Sequence, residues 1–87
     1  MKNIFITGGN RGIGRGLVEK FSKDHNVIFS SRNIEKAQLI INELASNNTD
    51  YVIMDVGDNE SVQNGIKNLK SKINSVDVHI NNAGILI

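Results

Sequence analysis

Short apolar runs alternate with longer stretches of helical spacing along the whole chain, and few folds accept that order. Lys2-Asn3-Ile4-Phe5-Ile6-Thr7 is a β-rich run that ends in glycines. From Gly12 onward, Ile13, Leu17, Val18 and Phe21 recur at helical spacing, and the pattern stops near Asp24-His25. A second apolar run, Asn26-Val27-Ile28-Phe29-Ser30, follows. Ile34, Ala37, Ile40, Ile41 and Leu44 then fall on one helical face, with Asn47-Asn48 as a stop. Tyr51-Val52-Ile53-Met54 reads as a third strand. Val62, Ile66, Leu69 and Ile73 form a third helical stripe, with Asp58 as its N-cap, and Val76 to Asn81 reads as a fourth strand.

The predicted order is βαβαβαβ. Strands separated by helices of ten or more residues pair in parallel through right-handed crossovers. The first three strands are near-continuous apolar runs, which predicts strands covered on both faces. The fold class expected is therefore α/β, a doubly wound parallel sheet that stops after its fourth strand. Composition agrees with a small folded unit: of 87 residues, 39% are hydrophobic and 22% charged, which excludes a disordered polyampholyte or a membrane-spanning chain as the first reading. Ten Lys+Arg against nine Asp+Glu leave a net charge of +1, without the basic footprint of a nucleic-acid binder. There is no cysteine, hence no disulfide framework, no thiolate ligand and no thiol nucleophile. No charged segment followed by a long apolar run succeeds Met1, so the expected location is cytoplasmic.

The turn between the first strand and the first helix carries the chemistry. It reads Thr7-Gly8-Gly9-Asn10-Arg11-Gly12-Ile13-Gly14. Gly8 allows a tight turn at positive φ, Gly12 lets backbone amides approach a phosphate with no Cβ in the way, and Gly14 lets the helix lie close to the strand. The helix N-terminus then presents unpaired N–H groups and a partial positive charge to an anion, with Arg11 adding a full charge beside them. The glycines run G-x-x-x-G-x-G, a departure from the G-x-G-x-x-G dinucleotide fingerprint. An ordinary tight turn between strand and helix is the plain alternative.

This loop resembles the cofactor loop of the short-chain dehydrogenases/reductases. Asp55-Val56, after the third strand, is similar to that family's acidic residue at the adenine amino group, and Asn81-Asn82-Ala83-Gly84, after the fourth, to its NNAG element. Three motifs fall in the family's order. The resemblance covers essentially the whole chain but only about the N-terminal third of a family member. It implies a Rossmann-like fold, with residues 1–87 forming a partial dinucleotide-binding domain. It also implies cofactor contacts from Gly8, Asn10, Arg11, Gly12, Ile13 and Gly14, from Ser31, Arg32 and Asn33, from Asp55 and Val56, and from Asn81, Ala83 and Gly84.

The end of the second strand decides which nucleotide. A carboxylate there hydrogen-bonds the 2′-OH of NAD, whereas a basic residue accommodates the 2′-phosphate of NADP. Phe29-Ser30-Ser31-Arg32-Asn33 holds no carboxylate. Arg32 can pair with a phosphate bidentately, Arg11 can reach the same group, and Ser30 or Ser31 can add a hydroxyl. NADP(H) is therefore expected over NAD(H). Each candidate has a plainer role open to it. Arg32 and Arg11 are also solvated loop charges, Asp55 a turn or cap residue, and Asn81 and Asn82 an Asx turn that holds the sheet end. Thr7 orders the loop or is simply a strand residue. His79 interrupts an apolar strand and reads best as a residue on an incompletely covered face rather than a general base. His25 suits a helix C-terminus, and Tyr51 a packing role.

In the resembling family, proton transfer belongs to a Tyr-x-x-x-Lys pair helped by a Ser and an Asn, all beyond the NNAG element. Tyr51 is followed four residues later by Asp55, not Lys, so no catalytic residue is assigned, and no metal site either. The expectation is a nucleotide-binding portion that is inactive alone. A non-catalytic binding or interaction module, or an inactive remnant, stands as the alternative. The fourth strand is expected to be an open edge that invites self-association or a partner chain.

Overall fold

The computed structural model describes residues 1–9 and 12–82. Its elements are β1 (Asn3–Thr7), α1 (Gly12–Phe21), β2 (Asn26–Ser31), α2 (Ile34–Leu44), β3 (Thr49–Ile53), α3 (Asn59–Lys72) and β4 (Val78–Asn81). The four strands form one parallel sheet in the order β3-β2-β1-β4. The chain thus steps outward from β1 to β3, then returns across the sheet to place β4 on the other side of β1. That reversal lies between β1 and β4, and open α/β sheets bind their ligands at such a point, beyond the carboxyl ends of the strands.

Side-chain alternation along the strands feeds two cores. Ile4, Ile6, Val27 and Phe29 point to one face, where Val18 of α1 and Ala37 and Ile40 of α2 seal them. Phe5, Ile28 and Val52 point to the other, packed with Met54, which follows β3, and with Leu69 of α3. Helices on both faces make the sheet doubly wound, as expected. Side-chain caps start two of the helices, Asp58 as the sequence predicts and Asn33 in addition. Asp58 accepts from the backbone N–H groups of Glu60 and Ser61, and Asn33 caps α2 by accepting from Lys36. On the surface, Arg15 of α1 pairs with Glu19 and reaches Glu43 of α2 at 2.9 Å. The hydrogen bond from Glu43, more than any other influence, holds the Arg15 guanidinium pKa above its ordinary value.

Several boundaries and faces differ from expectation. β3 begins at Thr49, two residues before the apolar run, because pairing with Val27 and Ile28 decides where it starts. Tyr51 is consequently in mid-strand, its ring 6.1 Å from that of Phe29. β4 begins at Val78, and Val76 lies outside it, exposed. β1 and β2 are buried along their lengths, but β3 is only half-buried, since it forms an edge of the sheet. In the helices, Ile13, Ile34 and Ile66 face solvent, while Gly14, Ala37 and Gly65 occupy buried positions. Volume is the reason at Gly65: a Cβ there would stand 2.6 Å from Met54 Cε.

Candidate functional site

Parallel pairing brings the ends of all four strands to one edge. Thr7 lies opposite Asn81, and Ser31 opposite Ile53, so the glycine loop, Arg32, Asp55 and Asn82 gather there. Gly8 and Gly12 adopt φ of 69° and 61°, the left-handed region that L side chains resist. A Cβ on Gly14 would collide with the carbonyl oxygen of Gly8 and stand 2.6 Å from Asn82 Nδ2, so α1 approaches the loop as closely as the sequence predicts. Gly9, which the spacing argument passed over, is equally constrained: its Cβ would lie 2.5 Å from Phe29 Cβ and 2.8 Å from Val18 Cγ2. The Gly8-Gly9 doublet is the signal for it.

Hydrogen bonds lace the loop to the strands on either side. Gly8 N donates to Ser30 Oγ at 3.0 Å, and Gly9 N to Ser30 O at 3.1 Å. On the other side, Thr7 Oγ1 accepts from Asn82 N at 3.0 Å and directs its proton at Asn81 Oδ1, 3.2 Å away. Asn82 Nδ2 donates to Gly8 O at 3.1 Å. Asn81 and Asn82 therefore hold the sheet end, and Thr7 is an ordering residue as well as a strand residue.

The remaining candidates divide by what their polar atoms already do. Ser31 Oγ is buried and bonded to the backbone of Asn33, accepting from its N–H, while the Asn33 side chain caps α2. Ser30 and Ser31 thus spend their hydroxyls on backbone. Asp55 Oδ1 accepts from Gly57 N at 3.0 Å, which is the turn role foreseen for it, and its own N–H donates to Ser61 Oγ at 2.8 Å. Asp55 Oδ2 has no hydrogen bond among the described residues. Arg32 is exposed and makes no hydrogen bond or ion pair among the described residues. Ile13 and Val56 are exposed apolar residues at the same edge. Asn10, Arg11, Ala83 and Gly84 lie outside the described residues.

The chemistry available follows from these positions. The first turn of α1 has N–H groups with no intrahelical partner, and among the described residues beyond its chain neighbours nothing lies within 4 Å of where a Gly12 Cβ would stand. That is a cradle in which backbone donors can meet a phosphate. Arg32 supplies a planar cation at the neighbouring strand end, and Asp55 Oδ2 an acceptor one strand further out. The residues present thus fit a dinucleotide. Neither histidine lies at this edge among the cradle residues: His79 is exposed on β4 with its ring stacked on Phe5, centroids 5.3 Å apart, and His25 Nδ1 accepts from Lys2 N at 3.1 Å at the opposite edge. No three His, Cys, Asp or Glu among the described residues are grouped to hold a metal ion. Among the same residues, no helix is long and apolar enough to cross a membrane.

Comparison with known proteins agrees with this geometry. The profile of the short chain dehydrogenase family matches residues 2–87. A 3-oxoacyl-(acyl-carrier-protein) reductase of Chlamydia pneumoniae is 33% identical over 87 residues, covering 97% of this chain and 35% of that protein. A short chain dehydrogenase from Bacillus anthracis, solved by crystallography, is 31% identical with a TM-score of 0.82, and the match covers 93% of this chain and 34% of that one. A Pseudomonas aeruginosa RhlG structure in complex with NADP superposes with a TM-score of 0.88 at 22% identity, which speaks for the fold alone. The chain spans about a third of the length of these relatives. Sequence, sheet order and loop geometry converge: the chain belongs to the short-chain dehydrogenase family and corresponds to the N-terminal, cofactor-binding portion of its members.

Proposed function

We propose that residues 1–87 form a partial dinucleotide-binding domain that takes NADP(H) in preference to NAD(H). The observation that carries this reading is Arg32. It is exposed and unpaired among the described residues, and it stands one position beyond β2 where Phe29 to Asn33 hold no carboxylate. A guanidinium there meets a 2′-phosphate in a planar, charge-assisted pair, whereas a carboxylate would repel it. Arg11, in the glycine loop, is assigned to the same phosphate. Gly8, Asn10, Gly12, Ile13 and Gly14 line the pyrophosphate side, Ser31 and Asn33 shape the ribose end through the backbone they hold, Asp55 Oδ2 accepts from the adenine amino group with Val56 beside it, and Asn81, Ala83 and Gly84 border the ribose. When bound, the nicotinamide gives or takes a hydride.

In the complete enzyme the reaction is hydride transfer between nicotinamide and a carbonyl or alcohol. This chain contributes the binding half. Tyr51, its one tyrosine, is committed to packing against Phe29 in mid-strand, and no Lys follows it at the fourth position. We therefore infer that the chain alone is inactive. The reading carries a cytoplasmic location with it, since a pyridine-nucleotide pool is found there. A second reading, an interaction module, is favoured by one observation: β4 is exposed at alternate positions and half-buried at the rest, an open edge suited to a second copy or a partner chain.

A thermal melt with NADPH or NADH tests the cofactor assignment. A ligand at a hundred times its Kd stabilises by about 2.7 kcal/mol, which for a domain this size raises the midpoint by roughly 10–20 °C. NADPH should shift the midpoint more than NADH, and Arg32→Asp should lower NADPH affinity by about tenfold or more. Equal shifts with both nucleotides, unchanged by Arg32→Asp, would overturn the preference.

A further inference from the structure

Gly8 is gripped from both sides by residues distant in sequence. Its carbonyl accepts from Asn82 Nδ2 at 3.1 Å, and its N–H donates to Ser30 Oγ at 3.0 Å. The β1–β2 register ends at Ile6 and Phe29, so the Gly8 N–H takes the Ser30 hydroxyl as its partner. Ser30 also supplies its main-chain carbonyl to Gly9 N at 3.1 Å. One residue of β2 thereby fixes two consecutive N–H groups of the loop. Any residue can provide the carbonyl. Only a short side chain with an acceptor at γ can provide the other bond, and Ser30 is 1% exposed, so water cannot stand in for it. Two residues further along, the same strand delivers Arg32.

We propose that Ser30 is a positioning residue of the dinucleotide site. Its hydroxyl sets the plane of the Gly8 peptide at the turn into the phosphate cradle. Because it belongs to the strand that leads into Arg32, it holds the pyrophosphate loop and the ribose-reading arginine at a fixed separation. This deepens the dinucleotide reading and rests on it. Ser30 acts through Gly8, not by touching the ligand, so its effect should depend on whether the ligand spans both halves of the site.

Amide exchange followed by NMR on the whole chain, with binding of NADPH and of adenosine 2′-monophosphate, tests this. In Ser30→Ala the Gly8 amide should exchange about tenfold faster while Ile6 and Phe29 keep their protection. NADPH affinity should fall about tenfold, adenosine 2′-monophosphate, which lacks the pyrophosphate, should bind as before, and Ser30→Thr, which keeps Oγ, should restore both readings. Unchanged Gly8 exchange, protection lost evenly along β1 and β2, or equal weakening of both ligands would each overturn the proposal. If Ser30→Ala has no cooperative melt, Ser30→Val, which matches the shape of Ser30→Thr without an acceptor at γ, carries the same comparison, and loss of the fold in both variants overturns a local role. A wild-type chain that binds neither ligand defeats the dinucleotide reading itself. A wild type that binds NADPH beside a variant that binds it equally defeats only the role of Ser30.

Discussion

Gly14 and Gly16 sit two residues apart on α1 and face opposite surroundings. A methyl on Gly14 would strike the backbone of Gly8, which cannot swing away as a side chain can; a methyl on Gly16 would meet nothing within 4 Å among the described residues. Gly14→Ala should cost about 1–3 kcal/mol through forced separation of helix and loop. Gly16→Ala should add about 0.5–1 kcal/mol of stability through helix propensity and a stiffer unfolded chain. Urea unfolding of the two variants checks both signs. The glycine spacing made Gly8, Gly12 and Gly14 legible, because each answers a geometric demand of a turn between strand and helix. For Gly9 the doublet was the one sequence signal, and the reason for it was hidden, because its constraint comes from Phe29 and Val18, which are close in space only. The bonds of Ser30 and Ser31 were hidden for a related reason: both hydroxyls are buried and meet the backbone of Gly8 and Asn33, which spacing along the chain does not reveal.

At the scale of elements, the helices are held by their ends as much as by their apolar faces. Asp58 satisfies two of the free N–H groups of α3, and its charge suits the positive end of the helix dipole. Asp58→Ala should therefore cost about 1 kcal/mol, lowering the melting midpoint by roughly 4–8 °C, as a calorimetric scan would show. Arg15 makes the contrast. Its pairs with Glu19 and Glu43 lie at the surface, its side chain about a third exposed, and Arg15→Ala should cost less than about 1 kcal/mol, with the difference shrinking in high salt. The Asp58 cap could be read from sequence because it acts on residues two or three positions away; the Asn33 cap, equally local, was passed over. The strand edges could not be read this way. Thr49 and Asp50 are polar and belong to β3 only because Val27 and Ile28 lie alongside. Ile13, Ile34 and Ile66 carry helical periodicity but project from turns that no neighbouring element covers. Periodicity locates a stripe, and the sheet beneath decides how much of it is buried.

For the whole molecule, the sheet order leaves two edges, and they differ. β3 is flanked by α2 and α3, whereas β4 is exposed at His79 and Asn81 and rests on the first core through Val78 and Ile80. Sedimentation over a range of concentrations should show self-association through this edge. His79→Lys should weaken it, since an edge lysine resists strand pairing. An unchanged profile would place any contact elsewhere. The βαβαβαβ order and the parallel sheet were readable from alternation alone, because crossover handedness and strand burial leave little choice. The grip on Gly8 was not, as its partners are 22 and 74 positions away. That separation has a consequence for how the chain is made. At roughly 5–20 residues per second, a ribosome that has just added Gly8 needs about 4–15 s more to reach Asn82. Until then a nascent chain carries the loop without its second anchor, and Gly8 is held by Ser30 alone.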